Sequence, residues 1–334
     1  MTCRDLRKQD LVECLEIAPA HIGDELVGRA HAIRAWETLI RSRAFNTAVI
    51  EAESPIAGHT IAAFGASLFV SRAFAGEEIS NPRPGLNSRI IASIHSRRAV
   101  ILSEAEIRSA NTKGGLDVVI LYNSYSRGIL GVETGYELLT LLALRFVELH
   151  AGYRMNQLIV EVTDQEERQC FEATHAWRVI SSFDEFHLRQ PDNRWNRDRA
   201  LAVITRTDAL SALGSLVSSL FHDREPVLGL RDADQQLLIA ALKGPTNQEL
   251  SQQLKISLPA VKKRWASLFE RTINARPDLF PGLDETPGDN KRGEQKRHHV
   301  LAYMRSHPQE LRPIERASHA DRHEKSAKRL RSRT

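Results

Sequence analysis

The residue types that most directly suggest chemistry are three consecutive basic residues, Lys262, Lys263 and Arg264. Apolar residues flank them at helical spacing, which predicts that the lysines lie on the exposed face of a helix capped by Ser257. Basic side chains on one helix face bind the phosphates and base edges of nucleic acids. They are also the ordinary solvated face of a surface helix, so the surrounding elements must decide between the two interpretations.

Residues that typically begin or end helices predict two further helices just before these three basic residues. Asp232 is placed to cap the first helix, which Gly244 and Pro245 end, because glycine adopts left-handed backbone and proline cannot continue a helix. Thr246 and Glu249 have the T-x-x-E spacing of a capping box and start the second helix. Two short helices joined by a tight turn, the later one basic, are typical of a helix-turn-helix. A helical hairpin that only packs, with solvated lysines, stays open as the alternative.

The stretch at 229–273 resembles the LuxR-type helix-turn-helix of bacterial transcription regulators. The resemblance lies in TNQELSQQLKIS at 246–257 and AVKKR at 260–264, where Ala260 and Arg264 replace the usual Thr and His of the family. A sigma-factor DNA-binding module shares this architecture and is a related alternative. The resemblance implies contacts to the backbone and bases of double-stranded DNA from Thr246, Asn247, Ser257, Leu258, Lys262, Lys263 and Arg264.

Residues 1–206 show a different pattern, in which short apolar strands alternate with helices. A leucine-rich stretch at 133–150 predicts a helix that is buried on nearly all sides. This order is that of a mixed α/β fold, with a partly parallel sheet and helices on its faces. Uncharged or apolar runs predict the strands at 46–50, 61–70, 117–122, 157–162 and 178–183.

The central strand, turn, helix and strand of this region resemble the GNAT acetyltransferase fold. In that family, backbone N–H groups between the strand and the helix bind the pyrophosphate of coenzyme A. The family signature is Gln/Arg-x-x-Gly-x-Gly/Ala, and this chain has RGILGV at 127–132, with a glycine missing from the expected place. The resemblance implies an acetyl-CoA site shaped by Arg127, Gly128 and Gly131. The incomplete signature argues against acetyl transfer, so we expect no required cofactor.

Two segments outside these regions carry helical patterns. Leucines at 207–221 predict an amphipathic helix, which serves either as a linker, as a dimer seam or as a packing helix of the first domain. Val300, Leu301 and Met304 are spaced to dock another helix on a partner or on the preceding domain. Residues 285–334 hold 13 Lys/Arg and 7 Asp/Glu, a net charge of +6, and the last fifteen residues are predicted to be disordered.

Composition excludes several classes of protein. The net charge of +4 is too small to diagnose nucleic-acid binding by itself. Cys3, Cys14 and Cys170 lack the spacing of a zinc site and are too few for a disulfide framework; we interpret Cys170 and His175 as a packed helix pair rather than a nucleophile and its base. The uncharged stretch at 54–71 is too mixed for a membrane span, and no signal peptide is recognised. We therefore expect a cytoplasmic chain without a metal or a membrane partner.

Together these patterns predict an α/β, GNAT-like domain at 1–206, a linker helix at 207–228, a helix-turn-helix domain at 229–281 and a basic, partly disordered tail at 282–334. The function they favour is a DNA-binding transcription regulator whose N-terminal domain senses a small molecule or a protein, or serves as a structural platform. Homodimers that match paired half-sites are common in the LuxR-type family, and the sequence leaves the oligomeric state open. The alternative is a GNAT-type acyltransferase fused to a DNA-binding module. A third interpretation treats the N-terminal domain as a protein-interaction module.

Overall fold

The computed structural model describes two packed units, one built on a sheet and one made of helices. The residues that it describes are 1–17, 29–56, 59–95, 100–126, 132–162, 168, 172, 176–183, 199–212, 214–280 and 291–315. We call the part up to Phe221 the sheet unit and the part from Leu228 onward the helical unit, because each has its own buried apolar cluster.

The sheet unit contains seven strands among the described residues. They are β1 Thr2–Arg4, β2 Phe45–Ile56, β3 His59–Val70, β4 Leu116–Tyr125, β5 Met155–Val162, β6 Arg178–Ser182 and β7 Ala200–Thr205. Its helices are α1 Leu11–Ile17, α2 Arg29–Leu39, α3 Arg72–Ser80, α4 Leu86–His95, α5 Glu104–Lys113, α6 Val132–His150 and α7 Arg206–Ser211. Two 3-10 helices, at Lys8–Asp10 and Leu216–Phe221, complete the unit.

The strands lie in the order β1-β2-β3-β4-β5-β7-β6. Only β4 and β5 are parallel; every other neighbouring pair is antiparallel. The mixed sheet that the sequence predicts, with one parallel pair among antiparallel ones, is thus confirmed. β4 is apolar because both of its faces are covered: Val118 and Val119 are fully buried. The sequence analysis missed β1 and β7.

Helix α6 covers one face of β2, β3 and β4, and its burial differs from the prediction. Leu138 and Leu142 pack on the sheet, whereas Tyr136 and Leu144 are each about half exposed, at 49%. The prediction that α6 is buried on nearly all sides is wrong. A helix on a single sheet presents only one face to it, and nothing among the described residues covers the other face of α6.

The predicted helix at 207–221 is also wrong as a single element. It is divided into α7 and the 3-10 helix Leu216–Phe221, and Gly214 between them has a φ of +85°, which ends regular helix. Leu220 and Phe221 are buried in the core of the sheet unit. The segment therefore packs on that unit, one of the alternatives that the sequence left open.

The helical unit contains α8 Asp232–Ala241, α9 Asn247–Leu254, α10 Leu258–Ala275 and α11 Lys291–Ser306, with 3-10 helices at Pro277–Leu279 and Pro308–Leu311. The capping box of Thr246 and Glu249 and the Ser257 cap are confirmed. Asp232 does not cap α8; it occupies the first helical position after Arg231. Val300, Leu301 and Met304 are buried against α8 and α10, so this predicted docking is confirmed within the chain itself.

The segment after α11 joins the two units. The Arg312 guanidinium donates hydrogen bonds to the carbonyls of Leu149 (3.0 Å) and Ala151 (2.8 Å) at the C-terminal end of α6, and lies over the Tyr153 ring. These carbonyls have no partner within the helix, so the cation stabilises the end of α6. On another side, Arg108 of α5 forms a bidentate ion pair with Asp232 of α8.

Candidate active site

The sheet contains a gap between β4 and β5, the only parallel pair among the described strands. Their pairing runs from Leu116 with Met155 to Ile120 with Val160 and then stops. β4 nevertheless continues to Tyr125, held on its other edge by β3. A one-residue bulge at Leu121 marks the point of divergence, because Ile120 and Tyr122 face consecutive residues of β3. Beyond that point the described part of β4 has an edge without a neighbouring strand.

The N-terminus of α4 lies against this gap. The Glu161 carboxylate, at the end of β5, accepts hydrogen bonds from the backbone N–H groups of Gly85 (2.8 Å) and Leu86 (2.6 Å). A carboxylate at this position is favoured by the positive end of the helix and satisfies two of its unpaired donors. The Arg199 guanidinium lies 4.0 Å from the same carboxylate, and both residues are buried. Glu161 therefore fixes α4 relative to β5.

Asn87 connects the same helix to β4. Its side-chain N–H donates a hydrogen bond to the carbonyl of Leu121, the bulged residue. Its amide oxygen has no hydrogen-bond partner among the described residues, and it is buried, since the residue as a whole is only 6% exposed. A buried oxygen without a partner costs about 1–3 kcal/mol. Such a group at the edge of a gap is suited to accept an N–H from a bound molecule.

The first turn of α6 forms the far end of the gap. β4 ends at Tyr125 and α6 begins at Val132, so a short connection links the strand to the positive end of a 19-residue helix. A Cβ at position 135 would overlap the Tyr125 ring, so Gly135 allows the ring to lie directly on the start of α6. The predicted cofactor residues Arg127, Gly128 and Gly131 belong to this connection and lie outside the described residues.

On the opposite face of the sheet, an aromatic cluster supports β4. The Tyr122 ring lies 4.9 Å from that of Trp36 and 5.4 Å from that of Phe64, between ring centroids. Burial raises the pKa of Tyr122, so its hydroxyl keeps its proton at neutral pH. The cluster makes this part of β4 rigid and presents no charge to the gap.

The residues predicted to bind DNA lie on the helical unit, away from the gap. Thr246 and Ser257 cap α9 and α10, and Lys262 and Lys263 are exposed as predicted, while Val261 is buried. Leu258 is also exposed, whereas the Asn247 amide oxygen accepts a hydrogen bond from Arg297 and Arg264 is half-buried.

A larger cavity, of about 590 Å³, lies between the two units, near the end of α6 and the segment after α11. Its charged groups include Arg154 and Asp223, which form an ion pair with each other (3.2 Å). It is remote from the gap between β4 and β5, because the C-terminal rather than the N-terminal end of α6 borders it. We therefore place the candidate site at the gap and not at this larger cavity.

Other sequence predictions concern parts of the chain that the structure does not cover. Cys170 and His175 and the last nineteen residues, 316–334, are outside the described residues. Where the structure does describe the chain, no group of three or more His, Cys, Asp or Glu side chains is arranged to hold a metal ion. In the same residues, no helix combines the length and the apolar character that crossing a bilayer requires.

Comparison with known proteins gives similarities in structure only. No protein-family model and no curated protein matches the chain. A ribosomal-protein-alanine N-acetyltransferase from Escherichia coli is 9% identical, and the match covers 61% of this chain and 92% of that one with a TM-score of 0.34. A variant of spermidine N-acetyltransferase from Vibrio cholerae is 11% identical over 64% and 98% of the two chains (TM-score 0.34). An N-acyl amino acid synthase from uncultured soil microbes is 10% identical over 63% and 96% (TM-score 0.32).

These findings correct the function that the sequence favours. The prediction of a DNA-binding transcription regulator is contradicted: the similar structures reported above are two acetyltransferases and an acyl synthase. The LuxR resemblance finds no support in any family model. The reason for the error is that capped short helices with an exposed basic face also occur in helical units that do not bind DNA. The pattern is therefore not specific for a DNA-binding protein.

The sequence analysis missed the residues that shape the gap. Asn87 follows a proline- and glycine-rich loop, NPRPG at 81–85, and such a loop commonly precedes the first turn of a helix. That signal indicates where the helix begins, but not that Asn87 contacts β4. Nothing local indicates Glu161, which contacts residues 75 and 76 positions earlier in the chain.

Proposed function

We propose that the sheet unit is an acyltransferase that moves an acyl group from a coenzyme A thioester to a nitrogen nucleophile. The observation that carries the proposal is the divergence of β4 and β5 after Ile120 and Val160, beside the N-terminus of α6. It combines, in one place, a free strand edge and a helix end that attracts anions.

Each part of the gap suits one part of an acyl-CoA molecule. The pantetheine arm is an extended chain with two amides, and an extended chain with amides can pair with a free strand edge as an added strand does. The pyrophosphate is an anion, and the N–H groups at the start of α6 favour an anion. On this proposal Arg127, Gly128 and Gly131, between β4 and α6, contribute to phosphate binding.

The reaction requires a nucleophile to approach the thioester carbonyl. Its nitrogen forms a bond to the acyl carbon, the carbon–sulfur bond breaks, and coenzyme A leaves as a thiol that keeps the proton lost by the nitrogen. Asn87 supports a nitrogen nucleophile, because its buried, unpartnered oxygen can accept an N–H but cannot donate. Its own N–H is engaged with Leu121, which fixes the direction of the oxygen.

The proposal is tested by titrating the full-length protein with acetyl-CoA in a calorimeter. We expect saturable binding, and we expect Arg127→Ala to weaken it about tenfold or more, as loss of a hydrogen bond between charged groups does. Arg41→Ala is the matched control, since this exposed arginine precedes β2 at the opposite end of the sheet; its affinity should equal that of the unchanged protein. Absence of both heat and thermal stabilisation with CoA, acetyl-CoA and hexanoyl-CoA would overturn the proposal.

A further inference from the structure

A second cavity, of about 120 Å³, lies between α6 and the sheet. It is lined mainly by apolar side chains from β3, β4, α6 and the approach to β6, among them Gly65, Ile120, Leu142, Phe146 and Trp177. Val217 of the 3-10 helix Leu216–Phe221 closes one side. The cavity is distinct from the larger one between the two units.

The position of this cavity relates it to the gap. Ile120 and Asn123 of β4 both line the cavity. Ile120 is the last residue of β4 that pairs with β5, and Asn123 lies in the part of β4 that continues beyond this pairing. The cavity thus begins where the two strands diverge. A chain entering the gap along β4 from the start of α6 would reach the cavity at its inner end.

Gly65 keeps part of this space open. A Cβ at that position would lie 3.6 Å from the Leu142 side chain and 3.6 Å from the Tyr122 carbonyl, which are ordinary contacts. A methyl group would therefore be tolerated, but a larger side chain would extend into the cavity. The chain has glycine here although the middle of a strand disfavours it.

Four polar residues, Asn46, Thr47, Ser67 and Asn123, also line the cavity, and each of the first three has a hydrogen-bond partner within the protein. The Ser67 hydroxyl lies 3.1 Å from Nε2 of His150, and Nδ1 of His150 lies 2.7 Å from the Phe146 carbonyl. That carbonyl places the histidine proton on Nδ1, so Nε2 accepts from Ser67 and the serine is satisfied. A cavity of about this size, lined by apolar side chains, stays dry and holds a molecule as large as benzene.

We propose that this cavity binds the hydrocarbon chain of the transferred acyl group, and that the preferred donor carries a linear acyl group of about four to six carbons. The inference rests on the proposed function and specifies its substrate class. An acetyl group ends near the point of divergence and leaves the cavity empty. Each further methylene that enters it strengthens binding about fourfold.

The test is a chain-length series on the full-length protein, with CoA, acetyl-, butanoyl-, hexanoyl- and decanoyl-CoA titrated in a calorimeter. We expect affinity to rise about fourfold per methylene up to hexanoyl-CoA and to gain nothing further at decanoyl-CoA. Ala143→Phe fills the cavity from α6, and Leu144→Phe places the same side chain one residue away on the exposed face. The first variant should lose the preference for hexanoyl-CoA while binding acetyl-CoA normally, and the second should keep it.

Gly65→Val fills the same space from β3 and guards against misfolding of the Ala143→Phe protein. Equal affinities for all chain lengths, or an undiminished hexanoyl preference in both cavity-filling variants, would overturn this inference and leave the acyltransferase proposal intact. Failure of every CoA derivative to bind would overturn both. The two failures are therefore distinguishable from the same titrations.

Discussion

His150 is the residue whose burial has the most direct consequence for stability. It lies at the C-terminal end of α6, fully buried, between Ser67 and the Phe146 carbonyl. Burial lowers the pKa of His150 from 6.5 to about 4, opposed by the hydrogen bond to Phe146, and the nearby Arg312 cation lowers it further. The folded protein therefore holds the neutral imidazole at a pH where the unfolded chain is already protonated.

This arrangement predicts a loss of stability in mild acid. Since the folded pKa is below the unfolded one, the unfolded state binds the proton first, and the free energy of unfolding falls as the pH drops from about 6.5 toward 4. Between pH 7.5 and pH 5 this residue should account for about 2 kcal/mol. Urea unfolding at both pH values measures it: the loss should be smaller by that amount in His150→Leu. Equal losses in the two proteins would show that another group is responsible.

At the scale of the element, α4 is held in place by contacts with β4, β5 and α3. Glu161 binds its first N–H groups, Asn87 binds the bulge of β4, and Arg89 pairs with the buried Glu78 of α3. The helix is thereby fixed across the gap between β4 and β5. Its position matters for function, because it orients the Asn87 oxygen.

Glu161→Gln tests this anchoring. The amide keeps one acceptor oxygen and turns an N–H group toward a backbone donor, so we expect a loss of about 2 kcal/mol in the free energy of unfolding. Glu106→Gln is the matched control: this carboxylate also accepts a backbone N–H, that of Ser103 (2.8 Å), at the start of α5, but it is exposed, and its loss should cost about 0.5–1 kcal/mol. Urea unfolding of both variants gives the comparison, and similar losses would argue against a buried anchor.

The individual strands and helices also show which structural features the sequence predicts correctly. The strands β3, β5 and β6 and the helix α6 were predicted to within two residues of their observed bounds, because each contains an apolar run flanked by turn residues. The predictions for β2 and β4 stopped six and three residues before the observed ends of these strands. The sequence analysis missed β7, which is equally apolar, because this strand lies next to the predicted end of the first domain at residue 206. The burial of α6 was wrong because leucine content does not tell which faces other elements cover.

At the scale of the whole molecule, one of the contacts between the two units depends on a glycine. Gly152 has a φ of +82°, and a Cβ there would overlap the backbone of Pro308 and Gln309. The segment after α11 can therefore approach the end of α6 only because this residue is glycine. Arg312, four residues beyond Pro308, completes the joint with its hydrogen bonds to α6.

Gly152→Ala and Gly214→Ala separate the cost of backbone strain from the cost of this contact. Both glycines have φ near +80°, but a Cβ at position 214 meets nothing within 4 Å. We expect Gly214→Ala to lower the free energy of unfolding by about 1–2 kcal/mol and Gly152→Ala by about 1–3 kcal/mol more. Calorimetric melting should also show that the helical unit unfolds at a lower temperature in Gly152→Ala than in Gly214→Ala. Equal effects would mean that the contact between the units contributes nothing to stability.

The sequence alone determined features that depend on near neighbours: the strands β2 to β6, the Thr246 and Ser257 caps, the left-handed Gly244 and the exposed lysines of α10. These follow from residues a few positions apart, and the same short range explains why they suggested a DNA-binding protein without being specific to one. Only the tertiary structure decided where β4 leaves β5, which carboxylate holds α4, and that Gly65 opens a cavity beneath α6. Those features join residues that are tens of positions apart, and the physical reason is that packing selects such partners only once the whole sheet has formed.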